Sequence, residues 1–468
     1  MNPFAIRDLG KRVYSSAPAL IQEMLISGYF YAKSRRVYGR EFHRHLDFLE
    51  KSQWLDTEKL IEIQCRHLER IVEAAERTPY YRSIFLERGI RGADLRGPAD
   101  LVALPILDKE TVRQSPESFV DERLKPQDLY SVLTSGSSGK PLRIYQTRSF
   151  DPIEEAFLAR QWGWARFSIS DRRVKIRGDL LVPASEGSAR PWRRNFGNRE
   201  LRMSAFHLSP STVGAYVERI RRFHPRALIA YPSSAAILAA LVREHALQLD
   251  VPLVFTSSET LSRTQRQLIE DTFGARVFDH YGSTEGVVAI QECEHGSYHV
   301  IPEYGITELL PIGEDDSGEL REVVSTGLIN TTMPLIRYRT GEIVRLDRSQ
   351  GCGCGRVFPV VREILGRQDD IVLAASGAWV GRLHHVFNGL ASILEAQIIQ
   401  EANQDLLVRL VPGRGYCKMI EDEIRQNLLE RVGDLAVSIE CVKEIPRGAN
   451  GKFRAVISHM GRGSIGDT

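Results

Sequence analysis

Between residues 209 and 285 helical and strand-like runs alternate, and no other feature restricts the fold of this chain as strongly. "SPSTVGAYVERIRRFHP" opens on a cap-and-proline signal and stops at Pro225, "RALIAY" reads as a buried strand, and "SSAAILAALVREHAL" is helical again. The pattern then repeats: "VPLVFT" is a strand, "SSETLS" a loop, "RTQRQLIEDTF" a helix ended by Gly274, and "ARVFDH" a strand that runs into "YGSTEG". Such alternation implies a parallel sheet, whose ligands bind beyond the carboxyl ends of the strands. Ser257, Ser258 and Glu259 fall there, as do Tyr281 to Glu285. Two hydroxyl-rich loops, each ending in a glutamate, are therefore expected to line one crevice.

A third hydroxyl-rich run, "SVLTSGSSGKP" at 131–141, combines glycines, hydroxyls and Lys140. Free N–H groups and glycine let a backbone close round phosphate oxygens. A flexible Ser/Gly linker is the alternative. The runs on either side, Tyr130 to Leu133 and Leu142 to Tyr145, read as strands and favour a hairpin with a long tip. The spacing is not that of the common nucleotide loop, since Gly136 and Gly139 are three apart and no Ser or Thr follows Lys140.

Residues 1–90 read as helical, with Thr57 as a cap and "TPYYR" breaking the pattern. The basic cluster Lys33 to Arg40 suits a solvated helix face, with a peripheral membrane contact as the alternative. Short strands follow from 318 to 345, and after "GRQDD" at 366–370 a separate piece mixes strands with the helix "YCKMIEDEIRQNLLERVG". The expected fold is α/β: a large multi-subdomain N-terminal domain with parallel sheets and a β-rich part, then a small mobile α+β domain. Its divisions fall at 1–90, 91–366 and 367–468.

With 62 basic against 60 acidic residues the net charge is +2, so no global field points to nucleic acid. "PALIQEMLISGYFYA" is too short to span a bilayer and carries Gln22 and Glu23; with no leader pattern ahead of it, a cytoplasmic protein without an integral membrane segment is expected.

Taken in order, "TSGSSGKP", "SSE", "YGSTEG", "YRTGE", "GRQDD" and "PRGANGK" resemble the motif series of the adenylate-forming (acyl-CoA synthetase and luciferase) superfamily. "TPYYR" and "CGCGR" are similar to elements of its phenylacetate-CoA ligase-like branch, which includes members from capsular polysaccharide gene clusters. The resemblance implies attack of a small-molecule carboxylic acid on ATP, giving an acyl adenylate and pyrophosphate, then transfer to a thiol, CoA first among them. An amine or a sugar hydroxyl is the alternative acceptor, and a non-catalytic nucleotide-binding relative the alternative class. Thr134, Ser135, Gly136, Ser137, Ser138, Gly139 and Lys140 would close over the outer phosphates; Ser257, Ser258 and Glu259 flank adenine; Tyr281, with Gly282 and Ser283 beside it, meets the base. Thr284 bonds the α-phosphate, Glu285 holds Mg2+, Glu342 binds the ribose where the family usually has Asp, Arg367 and Asp369 form the ribose arginine and hinge, and Lys452 serves adenylation. His207 and His280 receive no role, because a lone histidine beside aromatics is more often packed than catalytic. The basic run "ARPWRRNFGNRE" is open between an acceptor-phosphate site and a solvated loop.

"CEHGSYH" and "CGCG" offer zinc ligands on two loops, with buried thiols or a redox pair as alternatives. Similar elements in the resembling branch favour closed, structural Zn2+ on Cys293, His299, Cys352 and Cys354, with His295 in reserve.

Overall fold

The computed structural model describes residues 17–134, 142–177, 190–315, 318–346, 351–367, 392–447 and 453–459, with Tyr14, Leu181 and shorter stretches between 372 and 390. Strands Glu200–Ser204, Arg173–Arg177, Ala227–Ala230, Leu253–Ser257 and Arg276–Gly282 lie side by side in that order, all parallel. Helices Val213–Phe223, Pro232–Glu244 and Arg263–Phe273 connect them as the periodicity predicts. The last of these is bounded by sequence-coded signals: Ser262 and Gln265 form a capping box, and Gly274 ends the helix in the left-handed region at φ +58°. One core, with Ile220, Leu238, Val254 and Phe273 fully buried, is sealed between these helices and the sheet.

The β-rich part does not form a sheet of its own. Ala289–Glu292 pairs antiparallel with Arg276–Gly282, and the ladder continues through Tyr298–Val300, Val360–Arg367, Tyr338–Leu346 and Gly318–Gly327 to Gly305–Asp315. Counting the edge strand Trp192–Asn195, this makes one sheet of 12 strands. Antiparallel strands need no crossover, which is why short Gly- and Pro-punctuated segments suffice here.

Helices Ala19–Val37, Arg40–Ser52, Thr57–Ala75 and Pro79–Arg88 make up the expected helical N-terminal region. Thr57 is not the cap. Asp56 is, its carboxylate accepting from the Lys59 N–H at 2.9 Å, and Thr57 is the first helical residue. "TPYYR" ends one helix and starts another, with Thr78 as cap and Pro79 in the first turn. The "ARPWRRNFGNRE" run is an edge strand packed on the first helix: Arg193 is buried, and its guanidinium donates to Gln22 Oε1 at 2.6 Å and to the carbonyls of Arg190 and Trp192. The Nε and Nη1 donors of Arg193 are thus spent within the protein.

The hairpin predicted around the glycine-rich run is present, Leu129–Leu133 pairing antiparallel with Arg143–Thr147. C-terminally, Val437–Cys441, Leu406–Pro412, Ile393–Gln400 and Val456–Ser458 form a separate four-stranded sheet against the helix Lys418–Val432.

Candidate functional site

Beyond the carboxyl ends of Leu253–Ser257 and Arg276–Gly282 lies a cleft of 1490 Å³ whose far wall is the C-terminal sheet domain. Thr134, Ser258, Glu259, Tyr281, Gly282, Ser283, Thr284, Glu285 and Glu342 all line it. These come from four separated segments of sequence, so the fold gathers what the motif order only lists. Ser257 turns away, its hydroxyl accepting from Arg177 Nη2 at 2.6 Å. Ser135 to Lys140, Asp369 and Lys452 lie outside the described residues, as does the side chain of Arg367.

Each segment is braced locally. Thr134 closes the base of the glycine-rich tip: its N–H donates to the Leu142 carbonyl at 2.8 Å and its Oγ1 accepts from the Leu142 N–H at 3.0 Å. Ser258 holds φ +76°. That left-handed backbone costs a non-glycine residue about 1–3 kcal/mol and persists only where the surroundings impose it, a pattern that concentrates at functional sites. Glu259 accepts from two backbone N–H groups, Ser233 at 3.1 Å and Phe453 at 2.7 Å. Burial holds its carboxyl above the usual range, and the bond from Phe453 works against that rise. Phe453, which follows Lys452 in sequence, is thereby anchored on the core glutamate.

In "YGSTEG", a side chain at Gly282 would meet His280 Nε2 at 2.8 Å, and Gly286 turns the chain at φ +68°. The Ser283 hydroxyl is buried and has no hydrogen-bond partner among the described residues, which suits a group that completes its bonding on a ligand. Glu285 Oε1 accepts from Tyr338 at 3.2 Å and pairs with Lys109 Nζ at 3.4 Å. Lys109 is absent from the motif series. Nothing in its spacing marks it, because the isolated bridge between Leu107 and Tyr338 that brings it to Glu285 is a tertiary contact. Glu342 stands opposite Arg367 in register, so "YRTGE" and "GRQDD" are neighbours on adjacent strands.

A polar network that the sequence did not reveal lies beneath the site. Asp279 accepts from Thr256 Oγ1 at 2.6 Å and Tyr298 OH at 3.1 Å, while Arg266 pairs with Glu292 at 2.7 Å. Both pairs pin the strand that ends in "YGSTE". The two unassigned histidines are half-buried: His207 bonds Ser204 Oγ at 2.9 Å, while His280 lines the cleft, where desolvation followed by the charge of Arg177 pushes it down to about 4.

Beside the cleft, but not among its lining residues, Cys293, His299, Cys352 and Cys354 converge with their ligand atoms all within 4.8 Å of one another. Cys293 and Cys352 sulfurs are 3.6 Å apart, too far for a disulfide, and Cys354 Sγ lies 3.4 Å from His299 Nε2. Tetrahedral zinc with ligand bonds near 2.3 Å to sulfur and 2.0 Å to nitrogen has edges of about 3.8 and 3.5 Å, so the group fits that ion. His299 Nδ1 is near the Phe358 carbonyl at 3.4 Å, which turns Nε2 inward. Burial pushes Cys293 up to about 12; at Cys352 desolvation is outweighed by hydrogen bonds, first from Ser297, and the thiol falls below its usual range. His295 gives its backbone N–H to Cys293 Sγ at 3.3 Å, and its ring is not in the set.

Residues 372–459 match the family described as the CapK C-terminal domain. The chain is 24% identical over 465 residues to protein CapK of Staphylococcus aureus, covering 96% of this chain and 99% of that one. It is 24% identical over 439 residues to a phenylacetate-coenzyme A ligase of Thermus thermophilus, covering 86% and 97%. The crystal structure of 2-hydroxyisobutyryl-CoA ligase with an acyl adenylate superposes with a TM-score of 0.68 at 20% identity, over 87% of this chain and 91% of that one. The fold expected from the strand and helix alternation is thus the one observed. The chain is a relative of CapK and of the phenylacetate-CoA ligases, and it has the fold of the adenylate-forming CoA ligases.

Proposed function

We propose that this chain activates a carboxylic acid with ATP as an acyl adenylate, releasing pyrophosphate, and then passes the acyl group to the thiol of CoA. The observation that carries this reading is the convergence of Thr134, Ser258, Glu259, Tyr281 to Glu285 and Glu342 on one cleft, with Phe453 bonded there to Glu259. Relatives named as phenylacetate-CoA ligases support it.

The first step brings an anionic carboxylate to an anionic phosphate, so oriented donors and cations supply most of the help. The glycine-rich tip and Lys140 orient the outer phosphates, Tyr281 lies against the base, and Thr284 donates to the α-phosphate. Glu342 and Arg367, opposite one another, hold the ribose. Glu285 is a fitting partner for Mg2+, which takes one or two carboxylates plus substrate phosphates. When bound, the ion would neutralise phosphate charge; Lys109, 3.4 Å from Oε1, holds the carboxylate in place. The Cys/His group is a structural Zn2+ site that clips the "CGCG" loop to the strand end at Cys293. A cytoplasmic placement agrees with cysteines that are all free among the described residues.

The alternative acceptor is an amine or sugar hydroxyl in place of CoA. ATP–pyrophosphate exchange across a panel of carboxylic acids tests the first step, and AMP release with CoA, amines and sugars the second. At least one acid should support exchange, and Glu285→Gln should slow it by about a hundredfold or more. ATP binding without exchange for any acid would refute the ligase reading.

A further inference from the structure

The helix Ala19–Val37 is turned inside out relative to a surface helix of a globular protein. Its polar residues face the protein: Gln22 is buried and accepts from Arg193, Glu23 accepts from the Arg194 N–H at 3.0 Å, Ser27 from the Phe196 N–H at 3.0 Å, and Ser34 donates to Asn198 at 2.8 Å. The opposite face is exposed and uncharged from Leu20 to Ala32. Leu20, Met24 and Tyr29 are 67%, 65% and 65% exposed, and Ile21, Leu25 and the neighbouring Phe196 extend the patch. Scattered exposed apolar residues are ordinary, but a stripe along three helical turns is not.

The next turn changes character. Lys33, Arg35 and Arg36 are all exposed, and between residues 24 and 46 five basic residues stand against one acid. An apolar stripe continued by cations matches a bilayer surface with anionic headgroups, which takes the apolar side chains at the acyl boundary and the cations among the headgroups. A second protein copy offers no such complementarity, since it would set the cations against like cations if parallel and against the apolar Leu20 end if antiparallel. Among the described residues no helix is long and apolar enough to cross a membrane, and Gln22 and Glu23 are engaged inward, so contact is at the surface.

We infer that the helix Ala19–Val37 is an interfacial anchor that docks this protein on an anionic membrane surface through Leu20, Met24, Leu25 and Tyr29, with Lys33 and Arg35 on the headgroups. The full chain should sediment with vesicles of phosphatidylcholine containing roughly three parts in ten phosphatidylglycerol, and weakly with phosphatidylcholine alone. Lys33→Gln and Arg35→Gln should each weaken binding to the anionic vesicles about fivefold. The triple variant Leu20→Gln, Met24→Gln, Leu25→Gln should lose binding by about tenfold or more. Because these side chains are exposed, all variants should melt with the parent protein. The inference is overturned if the parent protein sediments with neither vesicle, or if the triple variant binds as the parent does. It also fails if light scattering shows a dimer that Met24→Gln splits, which would make a second copy the occupant, or if binding appears only after removal of residues 1–13, which would make that segment the cover.

Discussion

Lys452→Ala is expected to slow acyl-adenylate formation by about a hundredfold or more, while a supplied acyl adenylate still reacts with the acceptor at close to the parent rate. The reason is geometric and electrostatic together. The residue after it, Phe453, donates its N–H to Glu259 Oε1 at 2.7 Å, and Arg447 in the same loop pairs with Glu395 at 2.5 Å beside the cleft. On the proposed mechanism a lysine next to that anchored residue serves the phosphates of the first step, and the second half-reaction calls for no charge at that place. Half-reactions run separately on the acid identified by exchange give the readout. Equal loss in both would show that Lys452 supports the fold or both postures. Asp369→Pro should impair one half-reaction more than the other, since proline fixes φ at the proposed hinge.

Purified without added zinc, the protein is expected to carry about one equivalent of Zn2+ per chain, and Cys354→Ser should remove most of it and lower the melting temperature by roughly 5–10 °C. Cys354 and His299 are both buried, so unliganded they place polar groups in a core with Phe358. Metal binding offsets that cost, and its loss leaves a thiol and an imidazole, pushed down to about 4 by burial, with long contacts to each other and to the Phe358 carbonyl. His295→Ala should leave zinc content unchanged, because its ring stands outside the set. A metal-free parent protein whose melting is indifferent to Cys354→Ser would eliminate the site.

Much of the architecture is legible in local patterning. Apolar runs of the right length between capped helices require a parallel sheet, because each strand must be buried on both faces by its connections. The end of the helix 263–273 was readable from Gly274. The placement of "SSE" and "YGSTE" at one crevice follows from the same rule, since consecutive parallel strands end on the same side. Motif order suggested the chemistry. Ligand-type residues at short spacing suggested a metal group, because spacing within a loop is a local property.

What local patterning does not carry is which distant backbone comes alongside. That the β-rich strands extend the parallel sheet, that Glu342 faces Arg367, and that Lys109 reaches Glu285 all depend on ladder register and on bridges between segments far apart in sequence. The cap at Asp56 in place of Thr57 was decided by backbone dihedrals that either residue can adopt. The first helix gives the sharpest contrast. Its sequence reads only as helical with a basic cluster, and its hydrogen bonds to the edge strand Trp192–Asn195 and the turn after it set the polar side inward and the apolar side to solvent. Periodicity states that a helix has two faces. Which of them is buried is a property of what the rest of the chain sets against it.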